Sequence, residues 1–121
     1  VGNLNSLRTY ADVRDAVFAY YLLMKSRKTK KGDVFNIGGR KTCKVGETLK
    51  YLVKLSNLRN IKIKTEEKRL RPIDADLQVP DTRKFNKTVK WKRKFSYEDT
   101  MLDLLNFWRD KINASKYNLV R

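Results

Sequence analysis

Two stretches of this sequence carry arginine in settings suited to an anion. In Gly2–Asp15, Arg8 stands on the approach to a helix; in Arg69–Asp76, Pro72 fixes the backbone beside Arg71. A guanidinium presents planar, forked donors that bind phosphate oxygens in pairs, so Arg8 and Arg71 converging on one point would clamp a diphosphate. Asp74, three residues beyond Arg71, is placed to accept hydrogen bonds from vicinal ribose hydroxyls. Arg8, Arg71 and Asp74 are the candidate ligand-binding residues. By residue type alone, Arg-Pro-x-Asp also suits a surface loop closed by an ion pair.

The composition narrows the remaining chemistry. With 121 residues, of which 40% are hydrophobic, the chain is the size of one domain with one modest core. There is no histidine and Cys43 is the only cysteine, which excludes a disulfide framework, the common zinc sites and any intrachain Ser-His-Asp or Cys-His arrangement. Lys and Arg exceed Asp and Glu by 29 to 13, a formal charge of +16 that attracts polyanions and phosphorylated small molecules alike. No apolar run is long enough to cross a bilayer and no leader pattern opens the sequence, so a soluble, cytoplasmic protein without membrane contact is expected. Glycines at 2, 32, 38, 39 and 46 never give the spacing of a dinucleotide fingerprint, so no cofactor site is expected in these residues.

Periodicity supplies the elements that must position the arginines. Val13, Ala16, Val17, Tyr20, Tyr21 and Met24 recur at helical spacing, predicting a helix from Asp12 to about Lys25 with that stripe packed inward. Asp33–Ile37 is rich in strand formers and stops at Gly38-Gly39. Val45, Leu49, Leu52 and Val53 predict a second helix to about Leu55, with Lys44 where a capping Ser or Thr is usual, and Asn57–Asn60 as its stop. Ile61–Lys64 alternates like a half-buried strand, and Glu66–Pro80 reads as an extended loop. Ser96 caps the longest helix, whose stripe is Met101, Leu104, Leu105, Trp108 and Ile112. Trp91, Phe95, Phe107 and Trp108 are expected in the core or a domain contact. The expectation is an α/β chain with about three main helices and two or more short strands: residues 1–112 as a partial domain and 113–121 as a tail. So few strands do not complete a sheet, and something outside the chain is expected to do so.

Four motifs in order carry a family resemblance. They are Gly2-Asn3-Leu4 with Arg8-Thr9-Tyr10-Ala11-Asp12-Val13-Arg14-Asp15-Ala16-Val17; Val34-Phe35-Asn36-Ile37-Gly38-Gly39; Arg69 through Thr82; and Asp103-Leu104-Leu105-Asn106-Phe107-Trp108-Arg109. Together they resemble the carboxy-terminal, substrate-binding portion of GDP-mannose 4,6-dehydratases, members of the extended short-chain dehydrogenase/reductase group of NAD-dependent epimerases and dehydratases. The resemblance implies that Arg8 and Arg71 contact the substrate diphosphate, that Asp74 binds the ribose, and that Asn36–Gly39 lies near the nucleotide pocket. It also implies a GDP-sugar substrate, NADP or NAD in the full-length enzyme, an N-terminal Rossmann half absent from this chain, and a homo-oligomer.

The departures bear on the reaction more than on the ligand. The family commonly has Arg-Asp-Trp-Gly-His where this chain has Arg8-Thr9-Tyr10-Ala11-Asp12, and glutamate where it has Asp74. A related 4-keto-sugar reductase or epimerase shares the arginine frame and is the alternative. Tyr21-x-x-x-Lys25 matches the family's catalytic pair in spacing only, since the family's pair lies upstream of the Gly-Asn-Leu segment. No catalytic residue is therefore assigned, and the chain alone is expected to be inactive. A small basic nucleic-acid-binding protein is the alternative of a different class; scattered lysines and the lack of a recognition motif leave only non-specific contact.

Overall fold

The first strand forms where the sequence suggested only a lead-in to a helix. The computed structural model describes residues 1–70 and 76–118, with side chains through residue 114. Among these, β1 (Leu7–Tyr10) is the centre of a three-stranded sheet, flanked by β2 (Lys41–Lys44) and β3 (Leu77–Gln78). β2 runs antiparallel, from Leu7 opposite Lys44 to Tyr10 opposite Lys41, and Thr9 Oγ1 meets Thr42 Oγ1 across the ladder at 2.9 Å. β3 is parallel, with Leu7 opposite Leu77 and Arg8 opposite Gln78.

Four α-helices, α1 (Val13–Lys25), α2 (Val45–Leu55), α3 (Arg83–Thr88) and α4 (Tyr97–Asn118), and one 3-10 turn at Glu67–Arg69 complete the described elements. Asp12 caps α1 by accepting from Arg14 N at 2.8 Å. Ser96 caps α4 as the sequence indicates: its Oγ accepts from Asp99 N at 3.0 Å while the Asp99 carboxylate accepts from Ser96 N. α4 continues as helix through Asn118, past Ile112 where its apolar stripe ends. The weak cap expected at Lys44 is offset by tertiary carbonyls. Val45 N donates to Ser6 O, Gly46 N to Leu4 O, and Lys44 N to the Glu47 carboxylate, so the first turn of α2 is satisfied without a side-chain cap.

The core lies between α1 and α3. Ala19, Phe85 and Val89 are buried, with Leu22, Leu23, Phe35, Ile37 and Trp91 packed on them. Phe35 and Trp91 both meet the Phe85 ring edge-on, the latter at 5.2 Å.

Three expectations need correction. The stripe assigned inward on α1 faces out: Val13 is 71% and Met24 86% exposed, with Val17, Tyr20 and Tyr21 between them, whereas Asp15 and Ala19 are buried. Neither Asp33–Ile37 nor Ile61–Lys64 is a strand, because neither has a neighbouring strand among the described residues to complete its ladder. Ile61 and Ile63 are both exposed. Phe107 and Trp108, expected in the core or a domain contact, are not in the core of the described residues: both are more than half exposed and meet edge-on at 5.6 Å.

Candidate functional site

Arg8 sits in the central strand, half-buried, with its Nη1 donating to Leu7 O at 2.9 Å. It lines an open hollow of about 460 Å³ with Thr9, Leu77, Gln78, Val79 and Pro80. Arg71 and Asp74 lie outside the described residues, but the residues on either side of them are placed. Arg69 lies against Gly2, where an added Cβ would come within 2.7 Å of the Arg69 carbonyl oxygen. On the other side, Leu7 N donates to Asp76 O at 2.8 Å, the first bond of the β1–β3 pairing. The two flanks of the second arginine-bearing segment, Arg69 and Asp76, thus lie against the first, at Gly2 and Leu7.

The Gly38-Gly39 turn joins the same junction. A Cβ on Gly39 would overlap the Tyr10 carbonyl at the end of β1, and one on Gly38 would collide with the Pro80 ring. Glycine is required here for close approach of backbones. Of the four motifs, three therefore meet around β1. The fourth is tied in by Arg14, whose Nη2 reaches Asp103 at 2.7 Å and Asp12 at 2.8 Å.

Charge at this junction is tightly paired. The Asp12 carboxylate accepts from the Arg14 side chain, from Arg14 N and from Thr100 Oγ1, and the Arg14 side-chain bond is the main reason its pKa lies well below the usual carboxylate range. The Arg14 guanidinium also lies over the Phe95 ring at 3.6 Å. Asp15, buried on α1, accepts from Lys94 N and Phe95 N and so fixes the segment leading into α4. The sequence places Asp12 at the start of the first helix but gives no sign of its pairing with Arg14 or of the burial of Asp15.

Several groups do not carry chemistry. Arg69 is paired with Glu66, its Nε 3.0 Å from the carboxylate. Cys43 is buried against Thr48, as expected of a small packed residue, and Tyr97 O–H donates to Thr48 Oγ1 at 2.9 Å, with burial raising the Tyr97 pKa. Tyr21 is half exposed and stacks on Phe18, and the Lys25 ammonium lies over its ring at 5.3 Å. Among the described residues no group of three or more acidic, Cys or His side chains could hold a metal ion. The glycines do not fit a dinucleotide. Its pyrophosphate rests on a helix that follows a Gly-rich turn, but Gly38-Gly39 leads into β2, and Gly46 packs inside α2 with the first N–H groups already bonded. Among the described residues no helix is long and apolar enough to cross a membrane.

Comparison with known proteins places this architecture. RMD from Pseudomonas aeruginosa, solved with NADPH, superposes with a TM-score of 0.79 at 19% identity over 92% of this chain and 35% of that one. UDP-glucose 4-epimerase from Thermotoga maritima, solved with UDP-glucose, gives 0.76 at 23% identity, covering 90% of this chain and 33% of its own. For dTDP-glucose 4,6-dehydratase from Bacillus anthracis, solved with NAD, the values are 0.64 and 16%, covering 88% and 32%. The chain thus spans about a third of each of these structures, and the fold is that of the carboxy-terminal portion of extended short-chain dehydrogenases. Residues 1–104 match the family described as GDP-mannose 4,6 dehydratase, and with these motifs meeting around β1 the chain belongs to that family of NAD-dependent epimerases and dehydratases.

Proposed function

We propose that this chain is the substrate-binding portion of a nucleotide-sugar 4,6-dehydratase acting on GDP-mannose, in which Arg8 and Arg71 hold the diphosphate and Asp74 holds the ribose. The observation that carries this reading is the parallel pairing of β1 with β3. By setting Arg8 opposite Gln78 and bonding Leu7 to Asp76, it brings the strand bearing one arginine beside the segment bearing the other. The basic surplus of the chain adds a field that draws an anionic sugar nucleotide toward the hollow beside Arg8.

In the full-length protein, NADP or NAD would supply the oxidation and reduction that accompany loss of water from the sugar. The residues of this chain bind and orient the sugar nucleotide, and alone they are inactive. The catalytic groups belong to a Rossmann half in the full-length protein, which assembles as a homo-oligomer. Two features support a large covering neighbour: the exposed apolar side of α1, and Val34–Ile37, which makes no backbone hydrogen bond among the described residues. Unpaired backbone of strand-forming composition is a template for a further strand.

Calorimetric titration of the full-length protein with GDP tests the clamp. Arg71→Ala and Arg8→Ala should each weaken binding by about 2–5 kcal/mol, the usual cost of breaking one partner of a buried charge-assisted contact. Unchanged affinity in both variants would remove the clamp. Incubation with GDP-mannose and NADP then separates the reactions: a 4-keto-6-deoxy product supports the dehydratase, and a 4-epimer or no dehydration favours the related epimerase or reductase.

A further inference from the structure

A second hollow is more enclosed than the one beside Arg8. A cavity of about 350 Å³ opens between the end of β1, the Gly39–Lys41 turn and the segment from Trp91 to Glu98. It shares no lining residue with the Arg8 hollow. Its volume falls in the range of small-molecule sites, and its walls combine rings with basic groups.

The basic groups are unequally engaged. Arg93 donates from Nε and Nη2 to Gly38 O at 3.0 and 2.6 Å and stacks over Trp91 at 4.2 Å, which fixes its plane and leaves Nη1 without a protein acceptor. Arg40 is exposed and, among the described residues, has no hydrogen-bond or ion-pair partner. Burial, followed by the neighbouring Arg40 charge, pushes the Arg93 guanidinium below its ordinary pKa. Two like charges lining one cavity, one locked in orientation and the other without a partner among the described residues, form a fork that an anion would relieve.

The acids in the wall offset this pair only in part: the Asp15 charge raises the Arg93 pKa, but by less than burial and Arg40 lower it. Asp12 is neutralised by Arg14, Asp15 has an oxygen on each of two backbone N–H groups, and Glu98 is exposed. The Trp91 ring, over which Arg93 lies, forms part of the same wall. Its Nε1 is the only buried side-chain polar atom among the described residues without a hydrogen-bond partner.

We propose that this cavity is a second ligand site, taking a mononucleotide: its phosphate meets Arg40 and Arg93, and its base lies against the Tyr10 and Tyr97 rings. At about 350 Å³ the cavity has room for a base, a ribose and one phosphate. Its aromatic wall offers faces for stacking, so the site discriminates weakly among bases.

Equilibrium dialysis of the full-length protein against adenosine 5′-monophosphate tests the site, with Arg40→Glu and Arg8→Ala as paired variants. Arg40 has no structural partner, so Arg40→Glu should fold normally and weaken binding at least ten-fold, while Arg8→Ala leaves it within two-fold. In a nitrogen-15 correlation spectrum the indole N–H signal of Trp91, assigned by Trp91→Phe, should shift on addition of the nucleotide. Adenosine without phosphate should leave that signal in place. The proposal is overturned if the nucleotide does not bind, if Arg40→Glu leaves its affinity unchanged, or if Arg8→Ala weakens it as much. The last result would make the two hollows one extended site. Loss of GDP binding by Arg8→Ala is read separately, so failure of the clamp leaves this result intact.

Discussion

The two sides of α1 obey opposite rules. Its inner side is built from Asp15, Ala19, Leu22 and Leu23, a mixture in which the residues that disappear completely are a carboxylate and an alanine. Its outer side carries Val13, Val17, Tyr20, Tyr21 and Met24, the larger apolar set, and leaves it exposed. The inner side is decided by fit. Ala19 is small enough to lie against the core beside Phe85, and Asp15 is buried because Lys94 N and Phe95 N come to it. The difference teaches that helical spacing identifies a helix without saying which side meets its own chain, when both sides are apolar enough to be covered.

The sharpest way to test the inner side is to remove its anchor. Phe85 is fully buried and contacts Phe35 and Trp91 edge-on, so Phe85→Ala should cost about 3–5 kcal/mol, read as a drop in the denaturant midpoint. Next comes Asp15→Ala, which leaves the Lys94 and Phe95 N–H groups without an acceptor. A loss of about 2–3 kcal/mol is expected from the desolvated donors, with faster amide exchange confined to residues near 94 and 95. A loss below about 0.5 kcal/mol would mean that Asp15 is buried only incidentally.

Legibility in the sequence follows the same division. The three longer helices were readable because 3.6-residue spacing, Ser96 at a capping position and the Asn57–Asn60 stop are local signals. The strands were not. β1 and β2 have four residues each and β3 two, and their pairing is set by partners up to seventy residues away. Ile61–Lys64 shows the converse, an alternating pattern with no partner and hence no strand. Arg8 was legible as a candidate through its motif, but its neighbours in the hollow, Leu77–Pro80, could be found only through the pairing of β3. The Arg40–Arg93 fork was invisible for the same reason, since it depends on the Gly38 carbonyl lying beside a residue fifty-five positions away.

Below these effects lies the cap that starts α1. Asp12→Ala removes the bond to Arg14 N and the pairing with the Arg14 guanidinium, and should cost about 2 kcal/mol, at the upper end for a lost cap. Because the folded-state pKa of Asp12 is depressed, its contribution is fully present above the ordinary carboxylate value of 3.8 and is lost as pH falls toward the folded value. Thermal unfolding temperature should therefore decline below about pH 4, less steeply in Asp12→Asn than in the parent. Asp81, lowered to about 2 by Arg83 but exposed, should give a smaller change when replaced by Asn. Equal slopes in the two variants would show that the Asp12 network does not dominate acid sensitivity.

The smallest effect is the most informative about the outer side of α1. Val17→Ser and Met24→Gln replace exposed apolar side chains that this chain does not cover, so in the 121-residue chain each should change stability by less than about 0.5 kcal/mol. If a neighbouring part of a longer protein covers that side, the same substitutions there should each cost about 1–2 kcal/mol, in proportion to apolar area removed from water at about 25 cal/mol per Å². Denaturation of both forms, parent and variant, measures the contrast directly. Equal small effects in both would show that the apolar side of α1 is solvent-facing in the whole protein, and the two sides of the helix would then differ by packing alone.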